Sequence, residues 1–405
     1  MAPKPTKRRS PGEGSVWPYQ TMAGERWAIG HPSFGTRRNA SGWGKTKRTA
    51  QQALRGMLTD ASRGELVDPS RQPAGAYLDE WAAGLRLAPS TIASYRKNIR
   101  LHIAPALGTV PLAALTTERV DRLYRELERG GRADHRAGEG LSPRTVRYIH
   151  TILSAALRAA VKTRRLARNP AADASPPTAK QAKAPEMHPW TAGQLAAFLG
   201  WAREHARTGF PLWHVLAFTG MRRGEALALR WRDVDLDAAA LRVRRSAGMV
   251  RVAGEGAEVV EGDTKSGKPR LVDLDGPTVA VLRAHKRERG ALALQLARDE
   301  ALVFGDIQGD LRNPEHVSRQ FARDAARCRD ALGDCAGPLP VIRLHDLRHT
   351  HATLLLSARE PVHVVSARLG HANAVVTMTV YAHVLPGSQR DAADLFARLV
   401  REAGA

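Results

Sequence analysis

Apolar residues recur at three- and four-residue intervals through most of this chain, the spacing of helices that bury one face. The clearest run follows Ser142-Pro143, an N-cap and first-turn pair. There Val146, Ile149, Leu153, Ala156 and Ala160 form one stripe, while Arg144, Arg147, Arg158 and Lys162 fall away from it. Ser90 and Thr91 read as caps before Ile92, Tyr95 and Ile99, and Thr191 as the cap of a helix carrying Leu195, Phe198 and Leu199. Shorter helices are expected from Arg222 through Ala226 and Leu229, from His345 through Leu354, and from Thr377 to Tyr381. An amphipathic helix over Ala392, Leu395, Phe396 and Leu399 follows the last of these.

The pattern changes in two places. Near the N-terminus, Gly14-Ser15-Val16-Trp17, Arg26-Trp27-Ala28-Ile29-Gly30 and Trp43 are short aromatic and β-branched stretches separated by glycine, which predicts a small antiparallel sheet. A helix from about Thr49 to Ala61, with Ala53, Leu54 and Met57 on one side, closes that module. Further on, Leu241-Arg242-Val243 and the stretch Pro269 to Leu274 read as a strand pair within an otherwise helical region.

Between Ala171 and Pro189 the chain turns rich in Pro, Ala and Lys, with Pro176, Pro177 and Pro185, and reads as an interdomain linker. The expected fold is therefore multidomain and mainly α. A small sheet-plus-helix domain spans 1–66, a helical domain and linker 67–178, and a mixed, mostly α domain with a small hairpin or sheet 179–405.

The 405 residues carry a net charge of +22, and all three stretches are net positive. An excess spread over every module points to a polyanionic partner rather than to a solubility tail. Cys328 and Cys335 are too few for a disulfide framework and lack zinc-site spacing. No apolar run approaches the length of a membrane span, and the basic Met1–Ser10 stretch lacks the hydrophobic segment of a secretory signal. A reduced, cytoplasmic, nucleoid-associated protein is expected.

Candidate chemistry concentrates in the last half. Arg222 lies in Thr219-Gly220-Met221-Arg222-Arg223-Gly224-Glu225, and Lys265 in Thr264-Lys265-Ser266-Gly267-Lys268. His345 and Arg348 lie in His345-Asp346-Leu347-Arg348-His349-Thr350, His371 in Leu369-Gly370-His371, and Tyr381 in Thr379-Val380-Tyr381-Ala382-His383. Guanidinium forks match the non-bridging oxygens of a phosphodiester. Imidazoles can bind phosphate or share a phenolic proton, and a phenol, with a free pKa of about 10, needs such company to act as a nucleophile.

In order and spacing this set resembles the tyrosine recombinases, the phage integrase family. The resemblance implies that Arg222 and Arg348 are the catalytic arginines, that Tyr381 is the nucleophile, and that Glu225 braces the site. It also implies that a hairpin lysine is the general acid. Lys265 fits that role at the tip of the inferred hairpin, with Lys268 as its competitor, and Arg223 reads as a surface residue. By layout, 1–66 resembles an arm-type DNA-binding domain, and by implication 67–178 is a core-binding domain.

The implied partners are double-stranded DNA attachment sites and a homotetramer on that DNA, with an excisionase or DNA-bending protein as a candidate accessory. The C-terminal segment would dock on its own domain or on a neighbouring subunit. No cofactor or metal is implied; the alternative is a metal cluster of His345, His349 and His351, which lacks the Glu of a His-Glu-x-x-His helix. Rival functions are a chromosome-dimer-resolving recombinase, a type IB topoisomerase, and a DNA-binding regulator without catalysis.

Overall fold

The computed structural model describes residues 15–21, 24–30, 46–62, 72–132, 138–183, 187–252, 256–264, 267, 269–333, 339–381 and 388–403. Close contacts divide the chain into two units, Met1–Ala184 and Pro185–Ala405, and the division falls inside the proline-rich stretch. The fold is mostly helical with small sheets, as the apolar spacing predicts.

In the first unit, β1 (Ser15–Thr21) and β2 (Gly24–Gly30) pair antiparallel, with Val16 opposite Ile29 and Trp17 opposite Ala28. Helix α1 (Lys47–Ser62) follows, and its Ala50 and Leu54 bury against Val16 and Trp27. The expected contributions of Trp43, Ala53 and Met57 fall outside the described residues or side chains.

The helical part comprises α2 (Ala74–Ala83), α3 (Pro89–Asn98), α4 (Ala104–Leu107), α5 (Thr117–Gly130) and α6 (Pro143–Lys162). Ser142 caps α6, its hydroxyl accepting from the Thr145 N–H at 3.3 Å. Val146, Ile149, Leu153, Ala156 and Ala160 are all fully buried, and Arg144, Arg147, Arg158 and Lys162 are exposed. Each of the larger side chains in that stripe contributes about 1.5–3 kcal/mol of burial. Tyr77 of α2 pins the stripe, donating from its hydroxyl to the Ala156 carbonyl at 2.8 Å. The expected caps of α3 are displaced: Ala88 is the N-cap and Pro89 the first helical residue, so Ser90 and Thr91 lie inside the first turn. Proline at that position starts the helix earlier because its fixed φ suits it and no N–H is lost.

The second unit opens on Thr191, which caps α7 (Ala192–His205) in a reciprocal capping box with Gln194. Its core is aromatic: Trp190, Phe198, Trp213 and Phe321 are buried together, with Trp190 and Phe198 centroids 5.0 Å apart and Trp213 and Phe321 5.3 Å apart. Helices α8 (Phe210–Thr219) and α9 (Arg223–Leu227) come next.

A three-stranded sheet is then formed by β3 (Val234–Asp235), β4 (Ala240–Val243) and β7 (Arg270–Asp273), in the order β3-β4-β7. The expected strand pair is thus β4 with β7, Leu241 opposite Val272. Between them the chain inserts a second antiparallel hairpin, β5 (Arg245–Val252) and β6 (Gly256–Asp263), which the sequence pattern does not predict.

Helices α10 (Gly276–Leu292), α11 (Pro314–Leu332), α12 (Asp346–Ser357), α13 (Val362–Leu369), α14 (Ala374–Tyr381) and α15 (Ser388–Ala403) complete the unit. Cys328 is fully buried in the core, while Cys335 lies outside the described residues. Among the described residues no helix is long and apolar enough to cross a membrane.

Candidate active site

Two left-handed glycines shape the site. Gly220 ends α8 with φ +63°, and Gly370 ends α13 with φ +67°. Both helices terminate this way because only glycine takes that conformation without strain. The turn at Gly220 brings its carbonyl to Arg348, whose Nη1 donates to it at 2.7 Å. The turn at Gly370 brings its carbonyl to Arg222, whose Nη2 donates at 3.1 Å. Each catalytic-candidate arginine is therefore aimed by a backbone oxygen at the end of a helix distant in sequence.

Arg222 is the N-cap of α9 and Glu225 stands on the first turn of that helix. Glu225 accepts from the Arg222 backbone N–H at 2.9 Å and from its Nη1 at 2.7 Å. Its other partner is Arg270 of β7, which donates from Nη1 at 3.0 Å and from Nη2 at 2.6 Å. Burial pushes the Glu225 carboxyl up, but the hydrogen bonds and charge of Arg270 and then Arg222 outweigh it and leave the carboxyl below its ordinary value. Arg270 also donates from Nε to the Arg368 carbonyl at 3.0 Å. Arg223 is not a free surface residue: its Nη1 donates to Ser318 Oγ at 2.6 Å.

His345 and Arg348 lie three residues apart at the start of α12. Arg348 is 3 % exposed, and among the described residues its Nη2 has no hydrogen-bond partner. Burial foremost, then the like charge of Arg222, pulls its pKa down to about 9, which still leaves it cationic at neutral pH. His345 is exposed by area, but crowding of its ring, ahead of the charges of His349 and Arg348, lowers its imidazole. The ring stands edge-on to His349, with centroids 5.1 Å apart.

Tyr381 is the last residue of α14 and is 1 % exposed, packed in a cluster with Ala352, Leu356, Val365 and Leu369. Its hydroxyl lies 2.7 Å from Nδ1 of His349. Burial pushes the phenol up to about 12, against the pull of Arg348. His371 is half-buried, with Nδ1 2.7 Å from Thr377 Oγ1. Burial, then the charges of Arg348, Arg222, His349 and Arg270, holds its imidazole at about 4. Those couplings tie His371 to both arginines and link Arg348 to Tyr381.

Of the six residues singled out in the sequence, the structure thus gathers Arg222, His345, Arg348, His371 and Tyr381. Lys265 and its competitor Lys268 lie outside the described residues. The strands that flank them are not partners of one another: β6 ends at Asp263 and pairs with β5, whereas β7 begins at Arg270 and pairs with β4. Two described residues bracket position 265: the buried Thr264, whose carbonyl accepts from the Gly267 N–H at 2.8 Å, and Gly267 with φ +65°.

Two residues of the site are absent from the sequence reading of it. Arg270 appears there only as part of a strand, and the one available signal was a charged residue next to the lysine segment. His349 appears only in the alternative metal cluster with His345 and His351. These rings are otherwise engaged: His349 meets Tyr381, while His351 meets the Ala217 carbonyl at 2.9 Å through Nδ1 and accepts from Arg368 Nε at 3.1 Å. Among the described residues no group of three or more His, Cys, Asp or Glu side chains could hold a metal ion.

The model of the phage integrase family matches residues 205–387, and that of the phage integrase N-terminal SAM-like domain matches 75–127, together more than half of the chain. The chain belongs to the phage integrase family. It is similar to the "Tyrosine recombinase XerC-like" protein of Caldanaerobacter subterraneus subsp. tengcongensis, with 24 % identity over 371 residues covering 87 % of this chain and 90 % of the relative. It is likewise similar to an integrase of Streptomyces ambofaciens, with 27 % identity and 93 % of each chain covered. Among solved structures, the Tn1549 transposon integrase in complex with transposon right-end DNA superposes with a TM-score of 0.63 at 19 % identity, over 81 % of this chain and 99 % of that one. This phage integrase family member is a tyrosine recombinase.

Proposed function

We propose that this recombinase cuts and rejoins DNA at two specific sites through a 3′-phosphotyrosyl link to Tyr381, integrating or excising a phage or another mobile element. The observation that carries the reading is the buried Arg348. One end of its guanidinium is held by the Gly220 carbonyl, the other has no partner among the described residues, and its charge is felt by the Tyr381 phenol. A non-bridging phosphate oxygen is the natural partner for that Nη2, and Arg222, whose like charge Arg348 feels, adds a second guanidinium to the site.

The phenolic oxygen attacks phosphorus and the 5′-oxygen leaves, taking a proton from Lys265. The energy of the diester is kept in the phosphotyrosine, so a 5′-hydroxyl from the partner duplex can reverse the step without ATP. His371 and His345, neutral and next to the arginines, serve as hydrogen-bonding groups for the phosphate, and Glu225 with Arg270 holds Arg222 in place. No metal or nucleotide takes part.

Residues 1–66 are the candidate arm-binding domain, 67–178 the core-binding domain and 179–405 the catalytic domain. The exposed arginines of α6 fit a phosphate backbone, and the DNA partner would place the protein in the cytoplasm at the nucleoid. Two rounds of exchange on two duplexes require four protomers, with an excisionase or bending protein as accessory.

The surface of α15 supports such an assembly. Leu395, Phe396, Leu399 and Val400 are exposed on it by 48 %, 69 %, 55 % and 57 %. A groove of about 700 Å³ in the same unit, lined by Leu195, Leu199, Phe218, Leu354 and Val364 among others, offers an apolar seat for that helix from a second copy.

A nicked suicide duplex tests the reading. The wild-type chain should become covalently attached to its attachment site and Tyr381→Phe should bind without attachment. If neither is trapped, the protein is a DNA-binding regulator; relaxation of arbitrary plasmids without recombination would instead mark a topoisomerase.

A further inference from the structure

The proposed reaction needs a destination for the phenolic proton. Resting on the proposed role of Tyr381 as nucleophile, we infer that His349 is the general base: its Nδ1 stands 2.7 Å from the phenolic oxygen, and the proton crosses between these two atoms as the oxygen attacks phosphorus. The other imidazoles of the unit's site are placed differently. His371 turns Nδ1 to Thr377, His351 has both nitrogens committed to Ala217 and Arg368, and His345 stands edge-on to the His349 ring.

Accepting the proton requires a bare Nδ1, so the neutral ring carries its hydrogen on Nε2, a tautomer assigned from the chemistry of the contact. Burial lowers the imidazole, which keeps it unprotonated at neutral pH and able to accept. The imidazolium that forms faces Asp346, whose charge favours it, and Arg348 and Arg343, whose charges oppose it. His345 adds an uncharged edge.

The step balances. The bond from Tyr381 Oη to phosphorus forms and the bond from phosphorus to the 5′-oxygen breaks. The phenolic proton moves to Nδ1, and the leaving oxygen is protonated separately by the general acid. In the return step a 5′-hydroxyl attacks phosphorus and its proton returns to the group that acted as general acid. The bond from phosphorus to Tyr381 Oη breaks, and His349 gives its proton back to the departing phenolate. His349 therefore touches a reacting atom in both directions, whereas the sequence alone pointed to His345 and His371 for this duty.

The test measures single-turnover cleavage by the full-length protein on a suicide duplex whose scissile 5′-oxygen is replaced by sulfur. A thiolate leaves without a proton, so the general acid drops out and only activation of the nucleophile is read. His349→Asn and His349→Gln keep a polar acceptor without basicity, and retained binding to the attachment site shows that they fold. Cleavage by both should fall by about 100-fold or more, in the range general base catalysis supplies.

Fluorinated tyrosines of graded acidity at position 381 should then restore much of the loss in the His349 variants, because a more acidic phenol ionises without help. A loss of the same fold at every tyrosine would mean that His349 only packs the site, and wild-type rates in either variant would also overturn the inference. If the wild-type chain itself forms no adduct, the underlying reading of Tyr381 fails instead.

Discussion

Arg270 grips Glu225 with both ends of its guanidinium, at 3.0 and 2.6 Å, across 45 residues of sequence. The carboxylate is fully buried and the arginine side chain only 9 % exposed, and the same carboxylate takes Arg222. A strand, a one-turn helix and, through the Arg368 carbonyl, the end of α13 are thereby fixed to one another. Because Arg270 begins β7, it also sets the far end of the segment that carries Lys265.

Removing Arg270 leaves the buried carboxylate with Arg222 as its one remaining charged partner among the described residues. Arg270→Ala should therefore lower stability by about 3–5 kcal/mol. Arg270→Lys, which cannot make the two-pronged contact, should recover only part of that loss. Denaturant unfolding measures the stability, and the suicide-duplex assay should show cleavage reduced in both while the wild type is trapped.

The carboxyl of Glu225 sits below its ordinary value in the folded state, which fixes a pH dependence. A depressed carboxyl contributes stability that is present above its unfolded pKa of about 4.3 and is lost as pH falls through the lower folded value. Glu225→Gln should thus be much less stable than the wild type at neutral pH, and the gap should narrow as pH falls below about 4. Urea unfolding of both at neutral pH and about pH 3 reads this; a gap of constant size would show that the carboxylate charge is not what is felt.

How far the sequence exposed these arrangements depends on the range of the forces involved. The stripe Val146 to Ala160 was legible because burial on one helix face imposes a local period, and all five side chains are fully buried. The β5–β6 hairpin was not, since the β6 side chains are mostly exposed and leave no alternation to detect. Tyr381, Arg222 and Arg348 were singled out through their motif strings. Arg270 and His349 were missed as site residues because their roles are written in partners 45 and 32 positions away, and nothing local marks such a contact.

The histidines give a second pH dependence, of the same sign. His351 and His371 are both held at about 4, foremost by burial, against about 6.5 in the unfolded chain. The folded protein resists their protonation and the unfolded chain does not. Their contribution is complete above about 6.5 and is withdrawn as pH drops toward 4. Unfolding midpoints should therefore fall between pH 7 and 5, and His351→Gln should flatten that decline. His351 is the sharper probe because protonating Nε2 would also break its bond from Arg368.

Gly370 combines two constraints. A Cβ there would stand 2.8 Å from Arg270 Cδ and Nη1, and the backbone has φ +67°. Gly370→Ala should lose about 1–3 kcal/mol from the left-handed conformation alone. It should also push Arg270 off Glu225 and disturb the carbonyl that aims Arg222. The outcome that separates the two effects is a variant still folded at the assay temperature yet slow to form the covalent complex. A variant that is only less stable, and cleaves at the wild-type rate when folded, would assign Gly370 to the fold and not to the site.

The exposed face of α15 makes the last prediction, about assembly rather than chemistry. Phe396→Asp with Leu399→Asp places charge on a face that solvent now covers, so folding and binding of one duplex should be nearly unchanged. If that face seats in the apolar groove of a second copy, each charge must be desolvated on docking, a cost large enough to suppress association. Recombination of two sites should then fall steeply, while adduct formation at a single site persists at a rate closer to the wild type. Charge placed in the groove, as in Val364→Asp, should reproduce the defect. Native gel analysis of complexes on paired sites reads it directly, and normal assembly by both variants would leave α15 without a partner in that groove.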